Sequence, residues 1–170
     1  MIEIREAVAA DAATIRAVHE AAFDTDMEAR LIERLEADGD MRLSLVALRE
    51  ARCVGSLILS AMRAEADGEA FRAIALGPIA VRPECQKTGV GSALMEAAIA
   101  WARDRNYAAI LLLGDPNYYG RFGFSVEKAQ PFASPYLSEY WQLLPLTGDF
   151  VLPKSASAAY ADAFAMYEDA

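Results

Sequence analysis

Between residues 43 and 81 three apolar segments follow one another with only short polar turns between them, and this run limits the fold more than any other feature. Leu43 to Leu48 is closed by Arg49-Glu50-Ala51-Arg52. Cys53 to Ser60 follows, carrying Val54, Leu57, Ile58 and Leu59, and the turn signal Asp67-Gly68 leads into Phe71 to Val81. Segments of this length joined by such turns read as antiparallel strands. Gly77-Pro78 interrupts the third, and a proline removes a ladder donor, so a bulge or splayed edge is expected there. Past Pro83 a polar loop, Glu84 to Gly89, precedes Val90, Leu94, Ala97, Ala98 and Trp101 at helical spacing. Tyr107 to Leu113 is a continuous apolar run, the pattern of a strand buried on both faces. A strand, helix, strand succession implies parallel pairing through a right-handed crossover.

The flanks add smaller elements. Ile2 and Ile4 mark a short first strand. Asp11 is placed to cap a helix carrying Ile15, Val18 and Ala22, and Thr25-Asp26-Met27-Glu28 has the spacing of a capping box. The second helix carries Leu31, Ile32 and Leu35 and stops at Gly39. Gly114-Asp115-Pro116 turns the chain into a short aromatic helix, Asn117 to Phe122, which Gly123 ends. Phe124 to Val126 then begins a last hairpin whose return strand lies within Glu139 to Leu146. The tail after Pro153 is rich in Ala and Ser, with Tyr160, Phe164 and Tyr167 spaced to pack it down. The expectation is an α/β chain: a mixed, mostly antiparallel central sheet with helices on both faces, in one domain over residues 1–170.

Composition excludes several functions. With 16 basic against 25 acidic residues the formal charge is -9, which argues against a nucleic-acid binder working through a broad basic face. No apolar run approaches the ~20 residues of a membrane span. Met1-Ile2-Glu3-Ile4-Arg5-Glu6 is unlike a cationic signal peptide, so a cytoplasmic location is expected. Cys53 and Cys85 form no C-x-x-C pair, and with the single His19 no metal site is expected. His19 lies in a helical pattern among alanines and reads as a helix-surface or core-edge residue.

The segment Gln86-Lys87-Thr88-Gly89-Val90-Gly91-Ser92 joins a strand to a helix. Helix N-termini present unpaired N–H groups and partial positive charge, which suits phosphate, and glycines let a ligand approach the backbone. It is no Walker A loop, because Lys87-Thr88 precedes the glycines, and no dinucleotide fingerprint, because position 94 is Leu. A lone G-x-G is also compatible with a plain turn. In context, Leu76 to Pro83 followed by Gln86, Gly89 and Gly91 resembles the acetyl-CoA motif of the GNAT superfamily of N-acetyltransferases, [QR]-x-x-G-x-[GA]. Downstream, Gly114-Asp115-Pro116-Asn117-Tyr118-Tyr119-Gly120-Arg121-Phe122-Gly123-Phe124 resembles the second signature of that family, in the form found in one bacterial branch. The element order fits the same fold, so the resemblance spans nearly the whole chain.

The resemblance implies a GNAT-like acyl-CoA N-acyltransferase fold, splayed between the predicted fourth and fifth strands. It implies acetyl-CoA as cosubstrate, with no metal, and an amine acceptor, small molecule or peptide. Gln86, Lys87, Thr88, Gly89, Val90, Gly91 and Ser92 match the pyrophosphate loop, and Ile79, Ala80 and Val81 the strand that pairs with pantetheine. The N–H near Ile79 becomes a candidate oxyanion donor. Tyr119 matches the general acid, with Asn117 as a pantetheine contact, while Cys85 reads as packing.

The chemistry has its own demands. Alkyl amines have a pKa near ~10 and must lose a proton before attack, and a CoA thiol, with a pKa of about 8.5, leaves more readily beside a proton donor. No acid stands in Ala73-Ile74-Ala75-Leu76 and Glu69 lies at that strand's far end, so a water-mediated base is expected. Asp24, Asp26 and Glu28 serve equally as acceptor-side charges or helix-start residues. Phe132 to Trp141 is open to three readings: acceptor pocket, homodimer contact or core. A catalytically silent acyl-CoA sensor is the alternative to an enzyme.

Overall fold

A computed structural model describes residues 1–168; Asp169 and Ala170, the end of the expected single domain, lie outside the described residues. The strands are β1 (Ile2–Glu6), β2 (Met41–Arg49), β3 (Arg52–Ala66), β4 (Glu69–Ala70), β5 (Ala73–Val81), β6 (Ala109–Leu113), β7 (Phe132–Ala133), β8 (Trp141–Pro145) and β9 (Ala156–Tyr160). The helices are α1 (Ala12–Ala22), α2 (Met27–Ala37), α3 (Val90–Asp104), α4 (Pro116–Tyr119) and α5 (Val126–Ala129). The central path runs β1-β2-β3-β5-β6-β8. β1 with β2, β2 with β3 and β6 with β8 pair antiparallel, whereas β5 with β6 is parallel, as a helical crossover requires.

The chain divides into two compact units, and β3, β5 and α3 each contribute residues to both. The first unit holds Met1–Ser60, Gly77–Ala98 and the C-terminal segment from Asp162. Here β1 pairs with β2, and β2 with β3 from Arg49↔Arg52 to Met41↔Ser60. Residues 53 to 60 are buried without a break, which explains why apolar residues fill that stretch with little alternation. α2 buries Leu31, Ile32 and Leu35 along one stripe. His19 on α1 is fully buried rather than at the core edge, and both ring nitrogens lack partners. Its ring stacks on Phe23, 6.1 Å away, and burial pushes its pKa down to about 4.

Two caps differ from expectation. The Asp11 carboxylate accepts from the Val8 N–H at 2.7 Å and pairs with Arg5, so it serves the preceding 3₁₀ turn rather than α1. That pairing with Arg5, aided by the Val8 N–H, holds its pKa at about 2. Thr25 accepts the Met27 N–H at 3.3 Å, and α2 has no side-chain cap bond at Asp26.

The second unit holds Ala61–Leu76 and Ile99–Ala161. β6 lies between β5 and β8, pairing Ala73↔Ala109 to Ala75↔Leu111 on one side and Ala109↔Pro145 to Leu113↔Trp141 on the other. The pairing of β5 with β6 ends at Ala75↔Leu111, and β5 itself continues to Val81. The core gathers Ala73, Leu111, Phe132, Trp141 and Leu143, with Phe71 and Tyr160 packed against it.

Two local readings are corrected here. β3 continues to Ala66 rather than ending at Ser60. There Arg63 and Glu65 are exposed while Met62, Ala64 and Ala66 are half-buried, so small residues carry the inward face and the pattern reads as polar. Its extension pairs with β9, an Ala-rich strand with little β propensity of its own. The segment Phe124 to Val126 is not a hairpin strand. Ser125 makes one bridge to Leu143, and its hydroxyl caps α5 by accepting from the Lys128 N–H at 3.1 Å.

Candidate functional site

The predicted site residues fall in two groups. Ile79, Ala80, Val81 and Gln86 to Ser92 lie in the first unit, and Asn117 and Tyr119 in the second.

In the first unit, backbone and side-chain bonds hold the loop from below. The Arg82 N–H donates to Val54 C=O at 2.8 Å and its Nε to Cys53 C=O at 3.0 Å, tying the end of β5 to β3. Gln86 Nε2 donates to Val81 C=O at 3.2 Å, and the Thr88 hydroxyl donates to Cys85 C=O. Cys85 is buried, in keeping with a packing role. Lys87 (φ 62) and Gly89 (φ 94) both adopt the left-handed region, a conformation found in anion-binding turns of successive amides. Among the described residues no backbone acceptor faces the amides of Lys87 to Ser92, and the first helical bond is Ala93 N–H to Gly89 C=O at 3.1 Å. Six consecutive amides without a backbone acceptor thus stand at the start of the 15-residue α3, forming a cradle of the kind of donors an anion requires.

Two residues shape this cradle that sequence reasoning passed over. Arg49, read as part of a polar turn, donates from Nη1 to the Thr88 hydroxyl at 3.1 Å. Gly55 sits under the start of α3: a Cβ there would come within 2.8 Å of Val90 Cγ1 and 3.0 Å of Leu94 Cδ1. Its lack of a side chain lets the helix start lie directly on β3.

In the second unit, α4 carries Asn117 and Tyr119. Pro116 occupies the first turn and the Asp115 carboxylate accepts from the Asn117 N–H at 2.9 Å, an ordinary proline-led capped start. The Tyr119 ring lies against Gly114 so closely that a Cβ at that glycine would overlap it. Tyr118 and Phe124 meet the same ring edge-on at 4.9 and 6.0 Å. Burial, reinforced by Tyr118, pushes the Tyr119 phenol up to about 12, so it is a protonated donor at neutral pH. Tyr118 is covered instead by the Arg121 guanidinium at 4.5 Å. Gln142 was also passed over; fully buried on β8, it donates from Nε2 to the Gly114 carbonyl at 2.9 Å. A polar residue inside the apolar run Trp141 to Leu144 was the available signal.

The remaining candidates have other partners. Asp26 lies 3.9 Å from Arg16 and 3.8 Å from Arg30, and Glu28 accepts from the Tyr167 hydroxyl at 3.0 Å. Phe132 and Trp141 are fully buried and joined by Trp141 Nε1–H to Phe132 C=O at 3.2 Å, so both belong to the core, whereas Tyr140 is exposed. Among the described residues no cluster of His, Cys, Asp and Glu is arranged to hold a metal ion, and no helix is long and apolar enough to cross a membrane.

Residues 3–126 match the family model described as an acetyltransferase (GNAT) domain. The chain belongs to the GNAT acetyltransferase family. It is 32% identical over 124 residues to the uncharacterized N-acetyltransferase YhbS of Escherichia coli, covering 72% of this chain and 73% of that protein. The crystal structure of E. coli YhbS in complex with CoA superposes with a TM-score of 0.83 at 27% identity, over 96% of this chain and 91% of that one. A GNAT family acetyltransferase from Brucella melitensis, solved with acetyl-CoA, matches at a TM-score of 0.78 and 31% identity, over 96% and 98% of the two chains.

Proposed function

We propose that this chain is an acetyl-CoA-dependent N-acetyltransferase that transfers the acetyl group to a primary amine by direct attack in a ternary complex. The observation that carries the reading is the cradle of partnerless amides from Lys87 to Ser92 at the head of α3. Its donors, with the Lys87 charge beside them, suit a diphosphate, and relatives with this fold were solved with CoA and acetyl-CoA. In this reading Gln86 braces the loop, Ile79 to Val81 pair with the amides of the pantetheine arm, and Asn117 adds a polar contact to it.

Acetyl-CoA supplies an activated acyl carbon. The protein's own work is to hold it, to stabilise oxyanion charge with the Ile79 N–H, and to ease departure of sulfur through Tyr119. Magnitudes define that last role. A phenol near 12 is a weaker acid than a thiol of about 8.5, so complete proton transfer to sulfur is uphill by roughly 5 kcal/mol. Tyr119 therefore acts as an acid by partial transfer, through a strong hydrogen bond to developing thiolate in a dry setting. The amine loses its proton to water, since Asp26 and Glu28 beside the α1–α2 turn are engaged with Arg16 and Tyr167.

The test is thiol release from acetyl-CoA across a panel of primary amines, with Tyr119→Phe alongside. Turnover with at least one amine, falling about 100-fold in kcat in the variant with little change in KM for acetyl-CoA, is the expected result. Binding of acetyl-CoA without release on any amine would make the chain a sensor rather than an enzyme.

A further inference from the structure

We infer that Gln142 is a positioning residue for Tyr119, acting through the Gly114 carbonyl. This deepens the proposed function, since it rests on Tyr119 serving the sulfur. Gln142 stands on β8 opposite Leu112, fully buried, between Trp141 and Leu143. Its Nε2 donates to Gly114 C=O at 2.9 Å, while its Oε1 is buried with no partner. A buried amide with an unmet acceptor is costlier than leucine at the same place, so packing does not account for a glutamine there.

What the amide does hold is the turn that aims the phenol. The Gly114 N–H donates to Tyr140 C=O at 3.0 Å and its C=O accepts from Gln142, so the peptide groups on both sides of its Cα are fixed. The bare Cα between them is the surface against which the Tyr119 ring rests. The Tyr119 N–H in turn donates to Asp115 C=O at 3.0 Å. Rotation of the Gly114 carbonyl would shift both the support of the ring and the start of the helix that carries it. Removing the Nε2 donor also leaves that carbonyl without its partner, which favours such a rotation.

Two variants of the full chain test this. Gln142→Met keeps size and removes the donor. Gln142→Glu makes the donor titratable: a neutral carboxyl donates to the Gly114 carbonyl, whereas an ionised one opposes it with acceptors alone. The first readout needs no catalysis, namely the ring resonances of Tyr119 in protein labelled at tyrosine. They are expected to move in Gln142→Met, and in Gln142→Glu to return toward the wild-type positions as pH falls. The second is thiol release. In Gln142→Met kcat is expected to fall about ten-fold with KM for acetyl-CoA unchanged. For Gln142→Glu the activity relative to wild type should rise about five-fold between pH 8.5 and 5.5. Unmoved Tyr119 resonances in Gln142→Met overturn the assignment, as does a flat activity ratio in Gln142→Glu. If the ring moves as described and wild type turns over no amine, Gln142 keeps its role and the acetyltransferase reading fails instead.

Discussion

Gly114 makes room for the Tyr119 ring, which a Cβ at that position would overlap. Gly114→Ala is expected to tilt that ring and lower kcat about ten-fold while leaving acetyl-CoA affinity within about two-fold, read from kcat and KM together. His19 makes a different prediction. Burial lowers its folded pKa to about 4 from the ordinary histidine value of 6.5, so between those values the unfolded chain binds the proton and the folded chain does not. Its contribution to stability is complete above pH 6.5 and is lost as pH falls toward 4. Denaturant melts at pH 7.5 and 5 should show a loss of about 2 kcal/mol from this group, absent in His19→Leu. The Asp11–Arg5 pair does not confuse the measurement. Asp11 has a lowered pKa of about 2, so its stabilisation is present above 3.8 and lost only below that window.

At the scale of elements, α3 matters through how it begins. Gly55 allows its first turn to lie on β3, Gly89 bends the chain into it, and Arg49 braces Thr88 from the end of β2. Gly55→Ala would push against Val90 and Leu94 and against the Ala80 carbonyl at 3.2 Å. A loss of about 1–3 kcal/mol in urea unfolding is expected, with weaker cofactor binding as the helix start lifts. Arg49→Ala should leave stability nearly unchanged but loosen the loop, raising the dissociation constant for CoA about three-fold in titration. These elements differ in how readable they were. Hairpin strands and the crossover helix follow from apolar runs and turn residues close together in sequence. The β3 extension and β9 are held by pairing with each other, and their Ala and Ser residues carry no strand signal alone.

Across the whole molecule the formal charge is -9, yet the proposed phosphate cradle is built from main-chain donors, which composition does not reveal. That is why the loop was legible from the spacing of Gln86, Gly89 and Gly91 rather than from a basic patch. Side chains that steady it or its counterpart, such as Arg49 and Gln142, were not, because each acts on a residue distant in sequence. The family model and the sequence relatives place the chain in its family, and the cradle then carries the functional reading. Calorimetric titration of CoA into the full chain tests that reading most directly, with Gly89→Ala as the partner experiment, because an alanine at φ 94 is strained. One-site binding of roughly micromolar strength, weakened at least about ten-fold in the variant, is the expected result. No heat of binding to the wild-type chain, or equal affinity in the two proteins, would contradict it.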